Sequence, residues 1–480
     1  MTNSKHIPAI YFTALELENV RCFGETQRFD LTDLDGNPAR WTLLLGDNGL
    51  GKTTILQCLS WMRPVFVPTR RQEGRAGSDY DSDGPPPLRR GPLGPALPDE
   101  ENEVLEGLLR SGKNVELILS AELSYNKALS PHSGVRKAQS RSKFKKITTG
   151  IKLSYTKKRE LRDSKLQGNT RIETLGRFWE PLIVAYGANR QIGQQNLNLS
   201  DLDDPIASRL SGVTELYDAE EILNRLDHAA AKKGYRGLEN ARLERVKEML
   251  AVVLPEIKKA DDIKILTPRI MADSTKPHGV HFKTFSGLVP LSALSLGYQT
   301  TLAWTVDLAW RLFRRYNNSR NPLGEPAIVL IDEIDLHLHP LWQLTIMDNL
   351  SQLFSNTQFI ATAHSPLMVQ VAPTANLAVV QKDEDEVRIE NCPEVVGSWR
   401  VDQILTSELF RFPNSRDPFS ERLFRERAEL LNKIRRGPAE EARLKQLESQ
   451  LAKIPTAENS EDQKAMDLIR KAASLLRKKG

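Results

Sequence analysis

The run Gly46-Asp47-Asn48-Gly49-Leu50-Gly51-Lys52-Thr53 constrains the fold more than any other stretch of this chain. Gly46 and Gly51 are separated by four residues, and Lys52 and a hydroxyl residue follow. The apolar segment Trp41-Thr42-Leu43-Leu44-Leu45 predicts a strand before the run, and Thr54-Ile55-Leu56-Gln57-Cys58-Leu59 predicts the first turns of a helix after it. A strand, a glycine loop and a helix start gather backbone N–H groups and the positive end of a helix dipole around one anionic group. Lys52 is placed to reach outer phosphates, and the Thr53 hydroxyl can ligate Mg²⁺. Gly46, Asn48, Gly49, Gly51, Lys52, Thr53 and Thr54 are therefore the candidate residues for binding a nucleoside triphosphate, expected to be ATP with Mg²⁺.

At 480 residues the chain has room for two or three domains. Its formal charge of +5 is small for this length, so global electrostatics do not announce a nucleic-acid partner. The three cysteines, Cys22, Cys58 and Cys392, form no CxxC pair and suggest neither a disulfide framework nor a zinc site. No apolar run approaches the roughly 18 residues of a membrane span, and no signal-peptide segment opens the chain. A cytoplasmic protein without membrane contact is expected.

Alternation over Tyr11 to Leu31 predicts an antiparallel hairpin ahead of the glycine loop. Residues 66–112 turn to Gly, Pro, Asp and Arg, a composition that reads as a flexible insertion. Strands are predicted at Val115–Tyr125 and Ile147–Tyr155. Between them Arg136–Lys146 is rich in Lys and Arg, so residues 126–180 read as a basic hairpin insertion that could touch DNA or RNA, or as a solvated hairpin. Pro181–Tyr186 reads as a buried strand, Glu215–Leu254 as a pair of helices, Ile263–Phe285 as alternating strand and Thr301–Phe313 as an amphipathic helix. Charged amphipathic helix is expected over Ser420–Leu476.

A glycine loop alone does not separate a kinase, a GTPase and a motor. Downstream, Ala327–Ile331 is an apolar strand ending in Asp332 and Glu333. Asp332 is placed to hold Mg²⁺ and Glu333 to accept a proton from attacking water. About thirty residues on, Gln358–Ala363 is a second buried strand ending in His364, a candidate for touching the outer phosphate or orienting water. Leu294-Ser295-Leu296-Gly297 puts Ser and Gly at another helix start, a second anion site of the same physical kind. One phosphate chain does not need two such sites in one polypeptide. The economical arrangement is a head-to-tail pair of copies, each closing nucleotide against the other's Ser295 and Gly297.

In this order the pieces resemble the ABC-type ATPase head of the SMC, RecF and RecN kind. The resemblance implies an α/β fold: an ABC-type P-loop head with a mixed sheet, flanking helices and a helical signature lobe, plus a C-terminal helical region. It implies ATP, Mg²⁺ and ATP-driven dimerisation, with Lys52, Glu333 and His364 as catalytic residues, Thr53 and Asp332 at the metal, and Asp335 in a dimer-contact loop. The lid glutamine is expected near Tyr186–Gln195, where Gln191 competes with Gln194 and Gln195. Residues 1–395 would form the head, with 200–320 as the signature lobe, and 396–480 a partner-binding or oligomerisation region. Ile334–Pro340 resembles the acid-x-His-Leu-His-Pro segment of compact stand-alone members, with His337 and His339 read as loop structure.

About 240 residues separate the glycine loop from Leu294 without sustained heptads, which excludes a chromosome-length tether. The 116 residues after His364 show neither the metal-binding pattern of the OLD-type nucleases nor an HNH-like histidine cluster. The segment Gly397–Phe410 resembles the one following the head in PtuA-like ATPases of Septu-type antiphage modules, including those attached to some retrons. That likeness implies regulation of a separately encoded HNH-type nuclease. A RecF-like repair ATPase and a nucleotide-bound scaffold with negligible turnover are the rival readings. Trp399, Ile404, Leu405, Leu409 and Phe410 fit either an interface centre or packing on the head itself.

Overall fold

The structure is a computed structural model. It describes residues 9–66, 93–95, 116–126, 145–155, 161–168, 181–195, 215–217, 219–231, 236–266, 279–372, 374–383, 386–392, 399–411, 417–433 and 437–451. The expected flexible insertion lies outside these residues apart from Phe66 and Leu93–Pro95, as do most of the basic run and the chain beyond Leu451.

Strict alternation of side chains builds the centre of the fold. The six-stranded sheet runs in the order Glu386–Cys392, Asn376–Asp383, Trp41–Gly46, Thr357–Thr362, Ala327–Ile331, Ile183–Tyr186. Five of these strands are parallel, and Glu386–Cys392 closes one edge as an antiparallel hairpin partner, so the sheet is mixed. Leu43, Leu45, Val184, Tyr186, Val329, Ile331 and Phe359 face one core, whereas Leu44, Ile183, Ala185, Ile328, Leu330 and Ile360 face the other. Both faces are covered, which is why these strands read as continuous apolar runs.

On one face lie the helix after the glycine loop, Lys52–Trp61, and a five-stranded antiparallel sheet in the order Gln27–Asp30, Ala9–Glu18, Glu116–Asn126, Lys145–Tyr155, Leu161–Gly168. The predicted hairpin and both predicted strands belong to that sheet. Leu161–Gly168 extends it within the segment read as a basic insertion. On the other face pack helices Ala219–Ala231, Arg236–Val253 and Leu296–Arg315, with shorter helices at Ile346–Leu353 and Pro366–Gln370. The alternation over Ile263–Phe285 corresponds to strands Ile263–Leu266 and Gly279–Thr284, which form a small antiparallel sheet with Gly287–Pro290. Two local details differ from expectation. Glu215–Tyr217 is a short strand parallel to Gln191–Gln195, not the start of a helix. The helix predicted from Thr301 starts at Leu296, because the polar residues Gln299 and Thr300 blur its apolar period without breaking the backbone ladder.

The long helix Leu296–Arg315 is tied to the central sheet by a buried polar contact. Tyr186 Oη donates to Asp307 Oδ2 at 2.8 Å, and Arg311 Nε donates to the same oxygen at 2.7 Å. Tyr186 also packs on Trp304, with ring centroids 5.5 Å apart.

Packing divides the chain into two compact units: Met1–Ile404 with Glu408–Phe410, and Leu405–Ser407 with Arg411–Gly480. Within the first, Ile404 and Leu409 are buried in the core, with Trp399 and Phe410 packed against it. Those four residues therefore contribute to the head's own packing. Among the described residues the second unit holds the helices Pro418–Asn432 and Pro438–Leu451, closed over Leu423, Leu430, Leu444, Leu447 and Leu451. Asp417 caps the first, accepting from the amides of Phe419 and Ser420.

Asp307→Ala would leave the buried Arg311 without its carboxylate. Removing one partner of such a pair costs about 3–5 kcal/mol, so a thermal melt of the variant should show a clear drop in midpoint. An unchanged melt would mean that the pair adds nothing to the head.

Candidate functional site

The parallel strands Trp41–Gly46, Thr357–Thr362, Ala327–Ile331 and Ile183–Tyr186 all end at one edge of the sheet, where open α/β folds gather ligands. Gly46 leaves its strand at φ 136°, and a Cβ there would lie 2.3 Å from the Val380 carbonyl oxygen. Only glycine fits both the conformation and the space. The loop then passes through exposed Asn48 and Gly49 to Gly51, in the left-handed region at φ 90°, and Lys52 opens the helix. No side chain caps that helix and no acid stands in its first turn, so its amides and dipole remain open to an anion.

Lys52 is buried and folds back over the loop, donating from Nζ to the carbonyls of Gly46 and Asp47, both at 2.8 Å. Burial lowers its pKa, opposed by the carboxylates of Asp332, Glu333, Asp47 and Asp335. Thr54 serves the scaffold: its hydroxyl accepts from Arg21 Nη1 at 2.9 Å.

The acid strand lies two positions away from the glycine-loop strand, with Thr357–Thr362 between them. Even so, Thr53 Oγ1 donates to Asp332 Oδ2 at 2.7 Å. Thr362 Oγ1 donates to Asp332 Oδ1 at 2.7 Å and accepts from the Glu333 amide at 2.7 Å. Thr53 and Asp332 thus offer hard oxygen donors side by side, which suits Mg²⁺ in both ligand type and location. Glu333 itself has φ 49°, an uncommon conformation for a residue with a Cβ, which turns the chain sharply after Asp332.

His364 follows on the intervening strand. Its amide donates to Asp335 Oδ2 at 2.9 Å, while its Nε2 and Asp335 Oδ1 are buried without a hydrogen-bond partner. Unsatisfied buried polar atoms at a strand edge are the kind of groups a bound anion and its water would engage. His339 caps the short helix Pro340–Gln343 through Nδ1, as loop structure requires, and among the described residues no cluster of metal-binding side chains occurs.

Ser295 stands at the N-cap position of Leu296–Arg315, exposed, with no capping bond from its side chain and no acid in the first turn. This second helix start repeats the open character of the first. Gln299 Nε2 braces the loop through the carbonyls of Leu294 and Ser292. A Cβ on Gly297 would lie 2.3 Å from the His337 carbonyl oxygen, so this glycine lets the helix lie against the loop that follows the acids in the same chain. Gln191 starts the strand Gln191–Gln195; its side chain lies outside the described residues, as do those of Gln194 and Gln195.

Two residues at this edge escaped the sequence reading. Thr362 was passed over as part of an apolar strand, although a hydroxyl two residues before His364 was a visible signal. Arg190 stood in the loop read for its glutamines. Its guanidinium donates to the carbonyls of Gly187, Asp332 and Glu333 at 3.0, 2.6 and 3.0 Å.

Residues 42–369 match the family described as "AAA domain, putative AbiEii toxin, Type IV TA system". Among curated proteins, "Retron Ec83 probable ATPase" of Escherichia coli is 40% identical over 118 residues, covering 24% of this chain and 22% of that protein. "Septu protein PtuA" of Bacillus mycoides (strain KBAB4) is 35% identical over 156 residues, 32% of this chain and 21% of its own length. The Bacillus thuringiensis protein of the same name is 31% identical over 167 residues, 33% and 42% respectively. In every case less than half of the relative is matched. A solved SMC head bound to the C-winged helix domain of ScpA covers 80% of this chain and 98% of its own at 14% identity and a TM-score of 0.43, a loose likeness. With two thirds of its length matched, the chain belongs to this AAA-domain family, and its ATPase domain is homologous to the retron and Septu PtuA-like ATPases.

Proposed function

We propose that this protein binds and hydrolyses ATP, dimerises head to tail on ATP, and regulates a separately encoded HNH-type nuclease in antiphage defence. The observation that carries the hydrolytic reading is the hydrogen-bonded chain from Thr53 through Asp332 and Thr362 to the Glu333 amide, which joins the glycine loop to the acid strand. Gly46, Asn48, Gly49, Gly51 and the first amides of the helix cradle the phosphates. Lys52 exchanges its two loop carbonyls for outer phosphate oxygens. Thr53 and Asp332 would hold Mg²⁺, which would supply charge neutralisation to the phosphate chain. Glu333 accepts the proton of the attacking water, and His364, its Nε2 otherwise without a partner, donates to the outer phosphate or orients that water. Ser295 and Gly297 close the site of the second copy, and Gln191 serves as lid. The relatives' names support the defence role, and the C-terminal helical unit is the element proposed to dock the nuclease or to brace larger assemblies.

Glu333→Gln should keep ATP binding but lose about 10²–10⁴ in turnover, roughly 3–5 kcal/mol of barrier, whereas Lys52→Ala should weaken binding itself. Steady-state hydrolysis beside nucleotide titration reads both. Near-native turnover by the Glu333 variant would remove it as the base, and tight binding without turnover by the unaltered protein would identify a scaffold.

For dimerisation, Ser295→Arg is the informative lesion, because Gly297 already has a packing role within its own chain. Mixing Ser295→Arg with Lys52→Ala protein should restore part of the activity, since a mixed dimer holds one site with both lesions and one with neither. No restoration where subunits demonstrably exchange would count against the head-to-tail pair.

Deleting Ser420–Gly480 should leave ATP binding intact while abolishing co-purification of the neighbouring nuclease or breaking higher oligomers. A folded truncation that keeps its assembly state and still retains the nuclease would remove this region as the docking element.

A further inference from the structure

Arg190 is a nearly fully buried cation, 5% exposed, at the catalytic edge. It makes no ion pair among the described residues, and its Nε lacks a hydrogen-bond partner. Burial pulls its pKa down to about 10, against the nearby carboxylates of Asp332, Glu333 and Asp335. A buried charge without an ion-pair partner is costly, and an apolar side chain of similar size would fill the space with less penalty. Its role must therefore be found in what the guanidinium holds.

It holds one peptide unit above all. Glu333 sits at φ 49°, a conformation a residue with a Cβ keeps only where its surroundings impose it. Its amide donates to Thr362 Oγ1 at 2.7 Å. Its carbonyl accepts from Arg190 Nη2 at 3.0 Å, and the preceding carbonyl, of Asp332, accepts from Nη1 at 2.6 Å. The same Nη1 reaches the Gly187 carbonyl at 3.0 Å, just beyond the strand Ile183–Tyr186. The planar fork thus spans three carbonyls on two chain segments, which a lysine's single ammonium cannot reproduce with the same fixed geometry.

We infer that Arg190 is a positioning residue for ATP hydrolysis, clamping the Asp332–Glu333 backbone in its left-handed turn so that the Glu333 carboxylate is held where it takes the proton from water. This inference rests on the hydrolytic reading above. Arg190 acts through the Glu333 backbone. Loosening the clamp lets Glu333 relax toward an ordinary backbone conformation, which misplaces the base while leaving the phosphate cradle intact. A displacement of about 1 Å at a reacting group suffices to lower turnover by about a hundredfold.

The test uses the full chain with Arg190→Met, Arg190→Lys and Glu333→Gln, measuring kcat and KM for ATP, affinity for a non-hydrolysable ATP analogue, and thermal midpoint. Arg190→Met should bind the analogue within about threefold of the unaltered protein while kcat falls about 10–100-fold. Arg190→Lys, keeping the charge but only part of the fork, should fall between the two. In the Glu333→Gln background the Met substitution should cost little more, because two residues acting as one unit are not additive. A kcat for Arg190→Met equal to that of the unaltered protein overturns the inference. So does a parallel loss of affinity and turnover, which marks a purely structural arginine. If the Met variant does not fold, the Lys variant decides on the same split between kcat and affinity. Absence of turnover in the unaltered protein fells the hydrolytic reading and this inference together, whereas turnover indifferent to Arg190 fells this inference alone.

Discussion

The carboxylate of Asp332 is the joint on which the candidate site at this sheet edge depends. Each of its oxygens accepts from a different threonine: Oδ2 from Thr53 at the start of the glycine-loop helix, Oδ1 from Thr362 at the end of the intervening strand. Three separate elements are therefore held in register by one nearly buried acid. Charge-assisted hydrogen bonds of about 2.7 Å are short and strong, and the low dielectric around them adds to their weight. The joint is also economical. Thr362 passes its own order on to the Glu333 amide, so the position of the second acid follows from the first.

The cations of this edge are hydrogen-bonded to backbone while carboxylates stand close by. Lys52 and Arg190 both donate to backbone carbonyls, with Asp332, Glu333 and Asp335 acting on both charges. Two helix starts without acids in their first turns add partial positive charge. An anionic ligand arriving at such an edge meets donors already desolvated and aimed, which is the physical basis of preorganised electrostatic stabilisation.

Much of this was legible in the sequence because the relevant signals are local. The glycine loop announces itself through residue types that only that backbone path needs, and Gly46 confirms why: a side chain would strike the Val380 carbonyl. The parallel strands were readable as apolar runs because both faces are buried. The antiparallel hairpin was readable because its side chains alternate. What escaped detection depends on contacts distant in sequence. Arg190 lies 142 residues from the carbonyl of Asp332 that it holds, and nothing in a loop written Gly-Ala-Asn-Arg-Gln says which polar residue turns inward. Trp399, Ile404, Leu409 and Phe410 looked equally suited to a partner or to the head, since composition carries no address. In the structure all four pack on the head's own core, Ile404 and Leu409 fully and Trp399 and Phe410 in part.

The helix Leu296–Arg315 is bound to that same edge by two further contacts within the chain. Near its start, Gly297 lies against the His337 carbonyl in the loop beyond the acids; halfway along, Asp307 accepts from Tyr186, the last residue of the strand that leads to Arg190. One contact is steric and the other a buried hydrogen bond, and close-packed interiors have little room to absorb a shift at either point. A displacement at the start of the helix is thus resisted at two points, at the His337 carbonyl and at Tyr186 on the strand Ile183–Tyr186. The packing of one helix on one sheet edge therefore fixes where its open N-terminus stands relative to the acid loop.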